Sequence, residues 1–206
     1  MIDVYDMPQG SPEWYEARRG IATASEFAAI LAKGQGKMRR AYMMRLAAER
    51  ITGEVQVTYI NRHMQRGREL EAEAREYYAW LAEAELQQVG FVRNGDVGCS
   101  PDALVGAAGM VEVKTKLPAL LLEAMISDGV PSEHWAQVQG GLWVCERQWC
   151  DLVCYWPGMP PHIVRAERDE AYIAALATEV ARFNADLEEV VQRVSTRSSP
   201  ILGSAA

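Results

Sequence analysis

Apolar positions recur at helical spacing through the first third of the chain, and the pattern changes near the middle to short, strand-like runs. Asp6 to Gly20 begins as a loop, and Trp14, Tyr15 and Ala17 then mark a short helix. Thr23-Ala-Ser-Glu26 has the form of a capping box and opens a helix with Phe27, Ile30 and Leu31 inward, ending before a loop at Gly34–Lys37. Arg39 to Thr52 is helical, with Tyr42, Met43, Leu46 and Ala47 on one face and Gly53 as its stop. Asn61 to about Glu85 is a long charged helix whose apolar face uses Leu70, Ala74, Tyr77, Tyr78 and Leu81. Leu86–Arg93, Gly98–Val105 and Met110–Lys116 then lean to β structure between glycine-containing turns. Helices follow at Ala119–Ser127 and at Ser132–Cys145, the latter with Ser132 as N-cap. Trp149–Trp156 and His162–Glu167 are strands flanking a proline-rich turn, and Asp169 caps an amphipathic helix to about Val194. This order predicts an α/β fold: a central mixed β-sheet flanked by helices, with a helical N-terminal third. Residues 1–194 form one domain in this reading, and 195–206 a loose C-terminal tail.

Composition narrows the class. With 206 residues, 49% hydrophobic and 24% charged, the chain has the balance of a globular domain, not of a disordered or fibrous one. No apolar run reaches membrane-spanning length, and the acidic N-terminus is unlike a secretory signal. Four cysteines without small-scaffold spacing point to a reducing, cytoplasmic setting. The net charge of −7 argues mildly against a nucleic-acid partner. Its distribution argues the other way: Arg18 to Arg68 holds 11 Lys+Arg against 3 Glu, while the remainder holds 10 basic and 25 acidic residues. A polyanion can approach one face of so polarised a molecule; solvated helix faces are the plainer reading of the same numbers.

The chemistry concentrates in Ser100-Pro-Asp102 and Val111-Glu-Val-Lys114. Residues two apart on a strand share a face, so Glu112 and Lys114 stand side by side while Val111 and Val113 point to a core. Register decides whether Asp102 joins them. A two- or four-residue hairpin loop places Val113 opposite Asp102; an odd loop, or a bulge at Gly106 or Gly109, brings Asp102 beside Glu112. Two converging carboxylates suit a hard divalent cation, with the backbone carbonyl of Val113 as a third ligand. Magnesium or manganese there would polarise a phosphodiester and acidify a bound water, and Lys114 would orient that water or offset developing charge. A surface Glu–Lys pair beside an unrelated turn aspartate is the alternative.

An aspartate, a gap and Glu-x-Lys resemble the core motif of restriction-endonuclease-like nucleases, the PD-(D/E)xK group. Further motifs resemble one branch of it, the phage lambda exonuclease and YqaJ-type viral recombinase family. These are Trp14 with Arg18-Arg-Gly20 and Thr23-Ala-Ser-Glu26, then Arg66-Gly-Arg-Glu-Leu-Glu71, Cys99-Ser-Pro-Asp102, and His134-Trp-Ala-Gln137-Val-Gln139. The resemblance implies a restriction-endonuclease-like core. It implies Asp102 and Glu112 as metal ligands, Asp102 bridging two ions, Lys114 as the catalytic lysine and Glu71 as a further acid of the site. Gln137 would hold Lys114 or the water, and Arg18, Thr23, Ser25 and Ser100 would bind a terminal 5′-phosphate. Thr23 and Ser25 also fit a simple helix cap, and Gln139 a structural role. Glu71 is chosen over Glu69 and Glu73 by its spacing from Gly67. Met64 is a candidate wedge between base pairs, or core. Cys145, Cys150 and Cys154 read as buried thiols, not as an iron–sulfur site.

The activity implied is 5′-to-3′ digestion of one strand of linear double-stranded DNA to 5′-phosphomononucleotides, leaving 3′ single strands for recombination. The resemblance further implies a processive homotrimeric toroid, a phage or prophage source in a bacterial cytoplasm, and a single-strand annealing recombinase as partner. The basic N-terminal quarter would line the channel. An endonuclease or a Cas4/RecB-type nuclease on the same core is the rival enzyme, and a non-catalytic DNA-binding scaffold the rival of another class.

Overall fold

The computed structural model describes residues 2–32, 36–55, 62–127 and 129–197, except for the side chains of residues 62–65 and 68. In chain order the elements are β1 (Ile2–Tyr5), α1 (Pro12–Arg18), β2 (Ala22–Thr23), a 3-10 turn (Ala24–Glu26), α2 (Phe27–Leu31), α3 (Lys37–Thr52) and α4 (Arg62–Leu81). Then come β3 (Leu86–Gln87), β4 (Phe91–Asn94), β5 (Val97–Cys99), β6 (Ala103–Val105), β7 (Gly109–Thr115), α5 (Pro118–Ser127), α6 (Ser132–Val144), β8 (Trp149–Tyr155), β9 (His162–Glu167) and α7 (Glu170–Ser195). The proposed Met64 wedge, part of the Gly34–Lys37 loop, Asn61 and the tail from Ser198 lie outside the described residues.

The mixed α/β architecture is as expected, but the strands form two sheets. One is five-stranded in the order β3-β6-β7-β8-β9; the other is four-stranded in the order β1-β4-β5-β2. In the larger sheet β7 runs parallel to β8 and antiparallel to β6. Its alternation sends Val111 and Val113 into a small core with Ala74 and Tyr78 of α4. Met110, Leu152 and Cys154 enter the main core with Val138 and Leu142 of α6.

Several local readings need correction. Leu86–Arg93 and Gly98–Val105 are not single strands: each breaks and contributes to both sheets, at Gln88–Gly90 and at Ser100-Pro101-Asp102. Proline has no amide hydrogen for the ladder, so a break there is natural. The capping box does not form. Thr23 makes no side-chain cap bond, its segment pairs with β5, and Glu26 reaches Arg45 on α3 instead. Ser132 is not the N-cap of α6, since Pro131 holds that position. On α4 the buried face is narrower than its apolar pattern: Ala74 and Tyr78 are buried, while Tyr77 and Leu81 face out. Asp169 does cap α7, accepting from the Tyr172 amide, and α3 ends at Gly53.

Much of the basic N-terminal quarter is committed within the fold. Arg39 pairs with Asp186 and Arg50 with Glu188 across the α3–α7 seam, Arg45 pairs with Glu26, and Arg19 with Glu16. The charge polarity seen along the sequence is therefore partly neutralised in three dimensions.

Candidate active site

The hairpin joining β6 to β7 sets the site. Ala103 pairs with Val111 and Val105 with Gly109, so the loop is the three residues Gly106–Ala108. This odd length is the one that places Asp102 opposite Glu112. At the end of β6 the two strands part. The Val113 amide there donates to Asp102 Oδ2 at 2.6 Å, while the Asp102 amide donates to the Val111 carbonyl at 3.2 Å. The N–H and C=O of one extended residue leave toward the same neighbouring strand, so the Val113 carbonyl faces the Asp102 side.

Glu112 is 4% exposed, a buried carboxylate in the middle of a central strand. Lys114 Nζ donates to its Oε1 at 2.7 Å and to Gln137 Oε1 at 3.0 Å, and Gln137 Nε2 also donates to Glu112 Oε1. Helix α6 comes close enough to deliver Gln137 because Gly140 and Gly141 face the packing. A Cβ at Gly140 would lie 2.4 Å from the Phe27 ring, and one at Gly141 2.8 Å from Met110 Cε. Gln139 points elsewhere: fully buried, it donates to the Glu167 carbonyl and accepts from the Asp169 amide, both at 2.9 Å.

Glu71 comes from α4, pairs with Arg75 one turn on, and lines a groove of about 660 Å³ with Asp102, Trp14, Asp6 and the Met7–Gly10 segment. Gln9 anchors that wall through a 3.0 Å bond to the Pro101 carbonyl. Glu73 is held by the Tyr155 hydroxyl instead. Burial, reinforced by Glu112 and Glu71, raises the Asp102 carboxyl well above the usual carboxylate range, although Lys114 and the Val113 amide oppose this. Burial by itself would lower Lys114, but the Glu112, Asp102 and Glu71 charges outweigh it and the ammonium is held more firmly than usual. Asp102 and Glu112 therefore adjoin, with Glu71 within electrostatic range. Lys114 pairs with Glu112 and Arg75 with Glu71, which leaves Asp102 without an ion-pair partner among the described residues. No three His, Cys, Asp or Glu side chains among the described residues form a ready-made metal cage.

The predicted phosphate pocket divides in two. Arg18 Nη1 donates to Ser100 Oγ at 2.8 Å, and Trp14 Nε1 donates to the same oxygen at 2.9 Å. The Arg18 guanidinium lies 4.2 Å from the Trp14 ring centroid, and burial lowers its pKa. It forms no ion pair among the described residues, with Glu26 acting on it only through space, so this is a half-buried cation without a bonded counter-ion. Ser100 accepts twice there, which leaves its own proton free to donate. Thr23 Oγ1 and Ser25 Oγ lie 3.3 Å apart, but neither bonds to Arg18 or Ser100. The Tyr42 hydroxyl accepts from the Thr23 amide, and its ring lies under the Arg45 guanidinium at 4.9 Å. Gly20 holds the intervening turn, with φ at +66°, its amide on Glu49 and its carbonyl on Arg50. Trp14 and Arg75 were not singled out as site residues in the sequence. Helical spacing was the available signal, since each stands four positions from a predicted one.

The Laribacter hongkongensis alkaline exonuclease LHK-Exo, also solved in complex with dAMP, superimposes with a TM-score of 0.84 at 34% identity, over 91% of this chain and 97% of that one. A phage-related exonuclease from Haemophilus somnus 129PT shares the fold, with a TM-score of 0.67 at 15% identity, over 84% of this chain and 96% of that one. The architecture and site therefore define an alkaline-exonuclease homologue. The profile of the YqaJ-like viral recombinase domain matches residues 13–148, and the chain belongs to that family. Every residue proposed above for the site falls within that span. No curated protein sequence gives a match.

Proposed function

We propose that the protein is a metal-dependent 5′-to-3′ exodeoxyribonuclease that digests one strand of linear duplex DNA from a 5′-phosphorylated end to mononucleotides. The observation that carries this reading is the Arg18–Ser100 pair. A half-buried guanidinium that forms no ion pair among the described residues, bonded only to a serine hydroxyl, is a natural partner for an anionic ligand. Ser100 is two residues from Asp102, so an end gripped by that pair lies beside the carboxylates. A terminal phosphate held there sets the polarity and disfavours internal cutting.

The oxygen donors fit a hard divalent cation. Asp102 Oδ1 and Glu112 Oε2 accept no hydrogen bond among the described residues, the Val113 carbonyl faces the Asp102 side, and Asp102 has no ion-pair partner among the described residues. Magnesium or manganese, as one ion or two, would be held by Asp102, Glu112 and the Val113 carbonyl, with Glu71 nearby, and would supply Lewis acidity toward the phosphodiester. The remaining work belongs to the chain. Gln137 fixes the Lys114 ammonium, which orients the attacking water and offsets charge on the pentacoordinate phosphorus. The water oxygen bonds to phosphorus as the bond to O3′ breaks. The released nucleotide keeps its 5′-phosphate, and the strand left behind carries a new one. Each cycle thus regenerates the group the pocket binds.

The family resemblance extends the proposal to a cytoplasmic, phage- or prophage-encoded homotrimeric ring. The ring would pass 3′ strands to a single-strand annealing recombinase, and its closure would supply processivity. Among the described residues no helix is long and apolar enough to cross a membrane. End-labelled duplexes with 5′-phosphate or 5′-hydroxyl termini, incubated with magnesium or with chelator, test the reading. Digestion should require the metal, favour the phosphate and stop in Asp102→Ala. Equal cutting of covalently closed circles would favour an endonuclease, and binding without hydrolysis a scaffold.

A further inference from the structure

The row of side chains on β7 that begins with Glu112 and Lys114 continues to Lys116, whose amide still ladders to the Tyr155 carbonyl at 3.1 Å. Opposite it, the first turns of α6 present Glu133, His134 and Gln137. The two rows mesh in order: Gln137 on Glu112 and Lys114, His134 within range of Lys114 and Lys116, and Glu133 Oε1 at 3.1 Å from Lys116 Nζ. Lys114 and Lys116 are two residues apart on extended backbone, so their stems stand roughly 6.6 Å apart. That is close to the separation of neighbouring phosphates along a nucleic-acid strand.

The Lys116–Glu133 pair is poorly matched as a structural tie. The Lys116 side chain is 12% exposed and Glu133 58%, so the carboxylate stands largely in water. Water screens the carboxylate's side of the pair, while the ammonium lies mostly out of it. Glu133 also has a second partner: it sits in the first turn of α6, where its own backbone amide already holds its carboxylate below the usual range. Losing Lys116 would not strand Glu133, whereas the largely buried Lys116 ammonium would need another anion in its place. A groove of about 410 Å³ opens beside Lys116 between α5 and the start of α6, with Ser132 and Glu133 on its wall.

We propose that Lys116 is a second backbone contact of the active site, binding the phosphodiester next to the one held at Lys114, with Glu133 as a counter-ion that the strand displaces. This rests on the nuclease reading above and adds to it the direction in which the substrate strand leaves the carboxylates.

The test compares wild type, Lys116→Gln, Lys116→Arg and Glu133→Gln. A labelled, blunt, 5′-phosphorylated duplex is titrated by anisotropy in chelator, and digestion in magnesium is followed separately. Lys116→Gln should bind roughly tenfold more weakly at low salt, because one charge-assisted contact is lost. Its salt dependence should be shallower by about 0.7–0.9 in log–log slope, so that between about 50 and 200 mM salt it loses roughly threefold less affinity than wild type. Lys116→Arg should restore both quantities. Glu133→Gln should bind more tightly than wild type, since the competing anion is gone. Equal thermal destabilisation by the two glutamine variants, with the salt slope unchanged, would overturn the assignment and leave a structural ion pair. A wild type that digests DNA while Lys116→Gln binds like it would also overturn the assignment, with the nuclease reading intact. Absence of both binding and digestion in wild type would overturn the nuclease reading itself.

Discussion

Gln137 and Gln139 stand two residues apart on α6, about 200° around the helix axis, and the structure gives them opposite duties. Replacing each by leucine keeps the volume nearly constant and removes only polar contacts. In Gln139→Leu the Glu167 carbonyl and the Asp169 amide lose their 2.9 Å partners at the rim of the core, where the glutamine is fully buried but the two residues it holds are exposed. Each unsatisfied buried group costs about 1–3 kcal/mol, and water reaches these two in part, so the loss should be roughly 2–3 kcal/mol, or about 4–12 °C in Tm for a chain of this size. Gln137→Leu leaves the 2.7 Å Lys114–Glu112 pair in place at a half-buried position and should cost under about 1 kcal/mol of stability. It frees the Lys114 ammonium from its second anchor, and misplacing a reacting group by an ångström costs on the order of a hundredfold in rate. Thermal melts and initial rates on one linear duplex separate the two effects. Gln137→Leu should fall about a hundredfold in kcat with its Tm lowered by under about 2–4 °C, and Gln139→Leu should melt earlier yet keep near-normal kcat at low temperature. If Gln137→Leu proved the less stable protein, or Gln139→Leu the slower one at equal folded fraction, the division of roles would be wrong.

Arg18→Ala should lower kcat/KM on 5′-phosphorylated ends by roughly 10–100-fold, the worth of a charge-assisted contact, and leave 5′-hydroxyl ends unaffected; equal losses on both ends would remove Arg18 from the phosphate pocket. On the back of the larger sheet, Asp151 accepts from the Tyr78 hydroxyl at 2.6 Å and from Arg165 at 2.8 Å twice, which ties α4 to β8 and β9. Asp151→Ala should cost about 3 kcal/mol in urea melts and Tyr78→Phe about 1 kcal/mol, because Arg165 still holds Asp151 in the latter. His134 has its pKa lowered to about 4 by burial and by Lys114 and Lys116, whereas the unfolded imidazole titrates near 6.5. Between those values the unfolded chain binds the extra proton, so stability should fall as pH drops through that window; His134→Asn should flatten the decline, and a curve unchanged by the substitution would exclude His134 as its source.

How far the site could be read in advance differed from residue to residue. Glu112 and Lys114 were legible because a strand repeats every two residues, and their shared face follows from local geometry alone. The pairing of Gln137 with them was expected only through resemblance, since α6 and β7 are 25 residues apart at that bond and no local rule joins them. Asp102 lay between. The sequence offered two registers, and the three-residue loop closed by packing selected one. The Thr23-Ala-Ser-Glu26 reading failed for a related reason. Its cap propensity is local and weak, and it lost to a strand pairing with β5 and to the Glu26–Arg45 ion pair.

What the sequence determined by itself was the class of fold, the helices with strong apolar periodicity, and Asp102, Glu112 and Lys114 as side chains suited to a metal site; the phosphate-binding set came only through the family resemblance. The former follow from chain-local periodicity and residue chemistry. Only the tertiary structure decided that Arg18 meets Ser100 while forming no ion pair among the described residues, and that the β segments divide between two sheets. It also decided that much of the basic N-terminal quarter is paired with its own acidic residues. These depend on which distant surfaces come into contact, and contact at long sequence separation is fixed by the packing of the whole core.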